Sequence, residues 1–258
     1  MISVGPAASL YPGAVIHWLG SGTVPSTVQL LHTDNPTVAL SVIVGDSRDA
    51  GHVLAARRIA DALQPAAICL TVMAGVAPEQ QGTLIEALGK RCDAMVTAAH
   101  GTLAAIVNAL TGAIMSPLAA GHPWCFDWND MREICSGTSA PAAARVFLGR
   151  ARGENAVCEL MERWTAASVA GPRKLLVSVG LPSIARIAVH HAVMRALASA
   201  GSAGGLVGSG IALDSTLAPD EVALTIVDFG AAPLRPLVST NGIAQVAMED
   251  LPRFLRHR

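Results

Sequence analysis

Apolar residues come in short dense runs, separated by turn signals and by stretches of helical period. Residues 14–19 read as a buried strand that ends at Gly20-Ser21-Gly22. Residues 38–44 form a second, denser run closed by the turn signal Gly45-Asp46. Residues 51–63 carry a helical pattern with Arg57, Arg58 and Asp61 on its polar face. Residues 66–73 are another continuous apolar run, 83–91 a helix and 93–98 a strand. Strands that are apolar throughout and alternate with helices predict a parallel sheet covered on both faces.

A long helix is expected over 102–118. From Thr102 to Gly121 the chain is apolar and uncharged, but it holds Asn108, Thr111, Ser116 and Pro117, which favours a buried central helix over a membrane span. A loop rich in Trp and Asp follows, then a short helix over 130–135 and a clear one over 153–164. Ala170-Gly171-Pro172 is a break. Beyond it, a strand at 174–179, a helix at 183–200 and strands at 204–213 and 221–229 predict a small α+β unit. Pro233 and Pro236 mark a linker. The organisation expected is one unit over 1–120 including the central helix, a second over 121–230, a linker over 231–247 and a terminal peptide over 248–258.

Composition narrows the function classes. Of the 258 residues, 52% are hydrophobic and only 3% aromatic, so Ala, Val, Leu and Ile must build the core. Charged residues are 14%, against about 25% in an ordinary soluble domain. That shortage suits either large faces buried against a partner or an alanine-rich coding genome. The net charge is −1 with no basic stripe, which argues against nucleic-acid binding. Five scattered cysteines (Cys69, Cys92, Cys125, Cys135, Cys158) make no CxxC pair; free buried thiols in a reducing cytosol are expected. No Lys or Arg precedes Arg48, so no secretory signal is read, and a cytoplasmic location is expected without membrane insertion.

Few residues carry chemistry by spacing alone. His190-His191 are adjacent and so point to different faces of a helix, a poor metal pair. No G-x-S-x-G elbow and no Walker lysine loop occurs. Trp124 and Trp128 flank the acidic loop and suit core or interface packing. Asp127 and Asp130 read as caps of the helix at 130–135.

Phe126–Arg132 after the expected central helix, Gly153–Ala156, Gly171–Val177 and the tail Glu249–Arg256, taken in that order, resemble stretches of the FtsZ family, the bacterial cell-division relatives of tubulin. Phe126-Asp127-Trp128-Asn129-Asp130-Met131-Arg132 is similar to the family's Asn-x-Asp-x-x-Asp loop after its long central helix, with Cys125 standing where the Asn is expected. Leu148-Gly149 and Gly153-Glu154-Asn155-Ala156 resemble its Met-Gly…Gly-Glu-x-Arg-Ala stretch, and Gly171–Val177, Gly210–Asp214 and Glu221–Val227 its C-terminal strands. Glu249-Asp250-Leu251-Pro252-Arg253-Phe254-Leu255-Arg256 resembles the terminal peptide that in the family binds partners such as FtsA and ZipA. The resemblance runs from about Val42 to Arg258. It implies a shortened Rossmann-like GTPase unit, a central helix and a smaller α+β unit, at a division site. It also implies that Asp127 and Asp130 act on a neighbouring subunit, and that Asp250, Leu251, Pro252, Phe254, Leu255 and Arg256 dock in a partner's groove.

The phosphate loop departs from that pattern. The family holds its nucleotide with Gly-Gly-Gly-Thr-Gly-Thr-Gly, where glycines let backbone N–H groups close on phosphate. Here the turn reads Gly45-Asp46-Ser47-Arg48-Asp49-Ala50-Gly51, and only the outer glycines persist. Asp46 and Asp49 would face phosphate with like charge. Gly20 and Gly22 are either a relic of a first glycine loop or an ordinary strand-end turn. The expectation is a pseudo-GTPase without tight binding of GTP or Mg²⁺, which associates with FtsZ or itself. The alternatives are a divergent GTP-hydrolysing filament protein, or a small-molecule enzyme on a generic doubly wound sheet.

Overall fold

The computed structural model describes residues 14–19, 40–63, 67–89, 91–97, 103–115, 128–135, 142–166, 173–183, 186–199, 205–229, 239–240 and 243–244. Gly20, Gly22, Trp124, Cys125, Asp127 and the peptide residues Asp250, Leu251, Pro252, Phe254, Leu255 and Arg256 lie outside them.

The first half alternates as its pattern predicts. Strands β1 (Ala14–Trp18), β2 (Leu40–Asp46), β3 (Ile68–Ala74) and β4 (Ala94–Thr97) are interleaved with helices α1 (Ala50–Ala62) and α2 (Gln81–Leu88). All four strands pair in parallel, in chain order. Their continuous apolar runs reflect burial on both faces: in β3, Ile68, Leu70 and Val72 enter one core, while Cys69 and Met73 enter another.

The central helix α3 (Leu103–Met115) and the short helix α4 (Trp128–Cys135) follow. Ile106, Val107, Leu110, Ala113 and Ile114 of α3 pack with Met131, Ile134 and Cys135 of α4 on one face of the sheet. The described part of the uncharged stretch, Leu103–Met115, therefore contributes to the core. The opposite face is covered in two parts. Helices α1 and α2 bury Ala56, Ala60 and Leu88 there, while α5 (Ala156–Ala166) and α6 (Ile187–Ser199) bury Leu160, Trp164, Val193 and Leu197.

The second half contains β5 (Ala142–Arg152), β6 (Lys174–Leu181), β7 (Leu206–Leu213) and β8 (Glu221–Phe229). Strand β5 is absent from the expected elements. Its segment reads AAARVFLGRAR, with small and charged residues in place of an apolar run. Yet it joins the two halves, pairing in parallel with β4 over Ala142–Arg145 and antiparallel with β8 over Ala144–Arg152. The result is one eight-stranded sheet in the order β1-β2-β3-β4-β5-β8-β6-β7. Within it β8 alone runs against the other strands. In the segment read as a linker, β9 (Ser239–Thr240) pairs with β10 (Ile243–Ala244).

Candidate functional site

The turn from β2 into α1 sits where a nucleotide-binding sheet presents its phosphate loop, at the carboxyl end of an interior strand. Gly45 is the penultimate residue of β2. A Cβ there would lie 3.2 Å from the Met73 sulfur and 3.4 Å from both His52 Cβ and Leu19 Cδ1. This glycine thus serves packing between β2, β3 and α1. The Ser47 N–H donates to Ala74 O at 2.9 Å and ties the turn to the end of β3.

Both acids of the turn are engaged inside the chain. Asp46 Oδ1 accepts the Arg48 backbone N–H and the Arg48 Nε–H, each at 2.9 Å, and Oδ2 faces Arg48 Nη2. This side-chain clamp, with the backbone bond second, pulls the Asp46 carboxyl down to about 2. The pair lies over Gly75, whose φ is +69°. A Cβ at Gly75 would come within 2.9 Å of Arg48 Nε and 3.2 Å of Asp46 Oδ1, so both conformation and space favour glycine there. Asp49 is the N-cap of α1, and its Oδ1 accepts the Gly51 N–H at 2.8 Å. His52 bridges the two acids: Nδ1 accepts from the Asp46 N–H at 3.3 Å, and Nε2 stands 3.5 Å from Asp49 Oδ2. From the sequence alone, Asp46 and Asp49 are expected to face an incoming phosphate as like charges. The geometry differs, because Arg48 between them is itself a partner, a role that spacing alone did not reveal.

Asp130 lies in the first turn of α4, inside the helix rather than at its cap, where a carboxylate suits the helix dipole. Helix α4 packs toward β6 and β7, whereas Gly45 and Gly51 flank the end of β2. Asp130 and the Gly45–Gly51 turn are therefore not brought together within one molecule.

No family model matches the chain, and no curated protein matches it. Solved structures do. An empty FtsZ dimer from M. jannaschii superposes with a TM-score of 0.60 at 14% identity, covering 80% of this chain and 70% of that one. An FtsZ point mutant from M. jannaschii gives 0.58 at 13% identity, covering 75% of this chain and 66% of that one. The fold is FtsZ-like. The chain matches about two thirds of the length of that FtsZ mutant.

Residues 19–39 lie between β1 and β2, and the two strands pair directly. Cys69, Cys92 and Cys135 are buried thiols, but Cys158 on α5 is exposed, against the expectation of buried cysteines throughout. Its position on the polar side of α5, between Val157 and Glu159, explains that exposure. His190 is buried with Nε2 3.3 Å from Ser209 Oγ, while His191 faces outward, so the two diverge as adjacent helical residues must. Among the described residues, no helix is long and apolar enough to cross a membrane.

Proposed function

We propose that this chain is an FtsZ-like pseudo-GTPase that associates with FtsZ-type filaments, or with itself, and modulates their assembly. The observation that carries the reading is the β2–α1 turn. A triphosphate needs free backbone N–H groups at a helix start, reached through glycine. Here the Gly51 N–H is taken by the chain's own Asp49, and Asp46 holds its negative charge on Arg48 at the same turn. An incoming phosphate must displace one carboxylate and approach another.

The rest of the reading follows from the resemblance and from the FtsZ-like fold. Residues 1–120 would form the degenerate nucleotide unit and 121–230 the C-terminal unit. Asp127 and Asp130 would reach a neighbouring subunit. The peptide from Asp250 to Arg256, beyond a linker at 231–247, would bind division-site partners of the FtsA or ZipA kind in the cytoplasm. A subunit that offers one working face and lacks the other stops an open head-to-tail assembly.

Equilibrium binding of fluorescent GTP and GDP in the presence of Mg²⁺ tests it. The expected result is no saturable binding up to near-millimolar nucleotide. Micromolar binding that is lost on replacing Gly45 and Gly51 would overturn the proposal in favour of a divergent GTPase.

A further inference from the structure

Cys69 near the start of β3 and Cys92 just before β4 are both buried in the core under α1 and α2. The sheet brings them together. Leu70 pairs with Ala94, and the contact extends one step back: the Asp93 N–H donates to Cys69 O at 2.8 Å, and Asp93 Oδ2 accepts the Cys69 N–H at 2.7 Å. Cys92 Sγ therefore lies against β3. It is 3.8 Å from Cys69 O, 3.3 Å from Ala94 O and 3.0 Å from Thr71 Oγ1. Cys69 and Thr71 are two apart on one strand and so share a face. The Cys92 sulfur sits on that face, and the two thiols hydrogen-bond each other.

That contact makes the two sulfurs unequal. The hydrogen bond to Cys92, and then burial, pushes the Cys69 thiol up. The bond from Cys69, with Thr71 adding to it, pulls the Cys92 thiol down against its burial. Cys92 is the readier thiolate, and Cys69 is the thiol held beside it, as an attacking and a resolving cysteine are held. Cys92 also stands next to the surface. Helix α2 ends at Gly89, whose φ is +78°, and the Cys92 N–H donates back to Gly89 O at 3.3 Å. Cys92 thus closes a turn whose residues Gly89 and Arg91 are only half-buried.

We propose that Cys69 and Cys92 form a redox-sensitive staple that hydrogen peroxide closes. Local opening of the Gly89–Cys92 turn bares the Cys92 sulfur, while the β3–β4 pairing from Leu70 and Ala94 onward stays in place. The Cys92 thiolate attacks one peroxide oxygen and the O–O bond breaks. The departing hydroxide takes up the proton that Cys92 gave to solvent and becomes water, leaving Cys92 as a sulfenic acid. The Cys69 sulfur then attacks the Cys92 sulfur. The S–O bond breaks, and its hydroxyl leaves with the Cys69 proton as a second water. Two thiols are oxidised to one disulfide, and one peroxide is reduced to two waters. The bond ties the start of β3 to the start of β4 around α2 and restricts the unfolded chain, so the closed form is the more stable one. In a reducing compartment such a bond is transient, which is what a switch requires. This assignment is independent of the pseudo-GTPase reading.

The test treats the full native chain with hydrogen peroxide, removes the excess with catalase, alkylates the remaining thiols in urea and maps tryptic peptides without reduction. The expected result is a linked pair joining the peptide of Cys69 to that of Cys92, with fragment spectra placing the bond at Cys92 rather than at Cys125 of the same peptide. Dithiothreitol should reverse it, and the melting midpoint should rise by roughly 5 °C or more while the bond is closed. Cys92→Ser should lose both the link and the peroxide-dependent rise in melting. Should Cys92→Ser fail to fold, Cys69→Ala is the second variant. It removes the resolving thiol and should stop at a sulfenic acid on Cys92 that dimedone captures. Three results would overturn the proposal: Cys69 and Cys92 both recovered as free thiols after peroxide has oxidised the exposed Cys158; a disulfide from either to another cysteine in place of this one; or the same rise in melting in a folded variant.

Discussion

Asp49 Oδ1 accepts the Gly51 N–H at 2.8 Å, so helix α1 begins on an anion that belongs to the chain itself. The helix start is a place that attracts negative charge, and here the attraction is already met. The same contact contributes to the stability of α1 as an N-cap.

Asp49→Ala removes that cap. The expected cost is about 1 kcal/mol of folding stability, the usual size for loss of an N-cap acid. Urea denaturation should show the midpoint falling with an unchanged slope. An unaltered midpoint would mean that the cap contact does not hold in solution.

The Asp46–Arg48 clamp gives a pH prediction. The folded carboxyl is held at about 2, below its ordinary 3.8. A depressed acid contributes stability above its unfolded value and loses it as pH falls from near 3.8 toward 2. The clamp is exposed at Arg48, so the effect on global stability is small, but the titration itself is readable. Carboxyl carbon shifts in NMR should place the Asp46 midpoint near the bottom of the carboxylate range. Arg48→Ala should return it upward, and a midpoint that ignores this substitution would contradict the clamp.

Arg173 and Asp228 form the most buried ion pair among the described residues, with side chains 10% and 5% exposed. Removing one partner strands the other charge in the interior. Arg173→Ala should therefore cost about 3–5 kcal/mol, well above the cost expected for the Asp49 cap. Thermal or urea unfolding measures it. A loss below about 1 kcal/mol would show that water reaches Asp228 freely.

Much of this fold is legible in the chain. The doubly buried strands β2 and β3 announce themselves as apolar runs, because each faces a core on both sides. Strand β8 and the central helix α3 are read for the same reason. Strand β5 is not, since its core positions are filled by alanine and its remaining side chains, Arg145 and Arg150 among them, are half-buried or exposed. An apolar run marks a strand buried on both faces, whereas β5 holds its place by pairing with β4 and β8. The position of the β2–α1 turn is legible in its spacing, but its chemistry is not. Whether an acid is bare or clamped depends on where Arg48 and Gly51 point, and residue order does not carry that. Thr97, Arg145 and Asp228 stand side by side across β4, β5 and β8 although as much as 131 positions apart in sequence, and only the sheet register brings them together.

Heterologous contacts extend into filaments only while every subunit presents both faces. A chain whose nucleotide turn is filled by its own acids, yet which keeps an acidic loop, should occupy one end of an FtsZ filament and stop growth there. Light scattering of assembling FtsZ should then fall at substoichiometric amounts of this protein, and a flat titration would remove the filament-modulating role. Asp127→Ala separates contact from chemistry. If the loop orients water in the neighbour's site, the variant should still cap filaments but change the neighbour's GTP turnover. Unchanged turnover with intact capping would leave the loop as an interface element alone, with the carboxylates serving helix α4 rather than the neighbour's nucleotide.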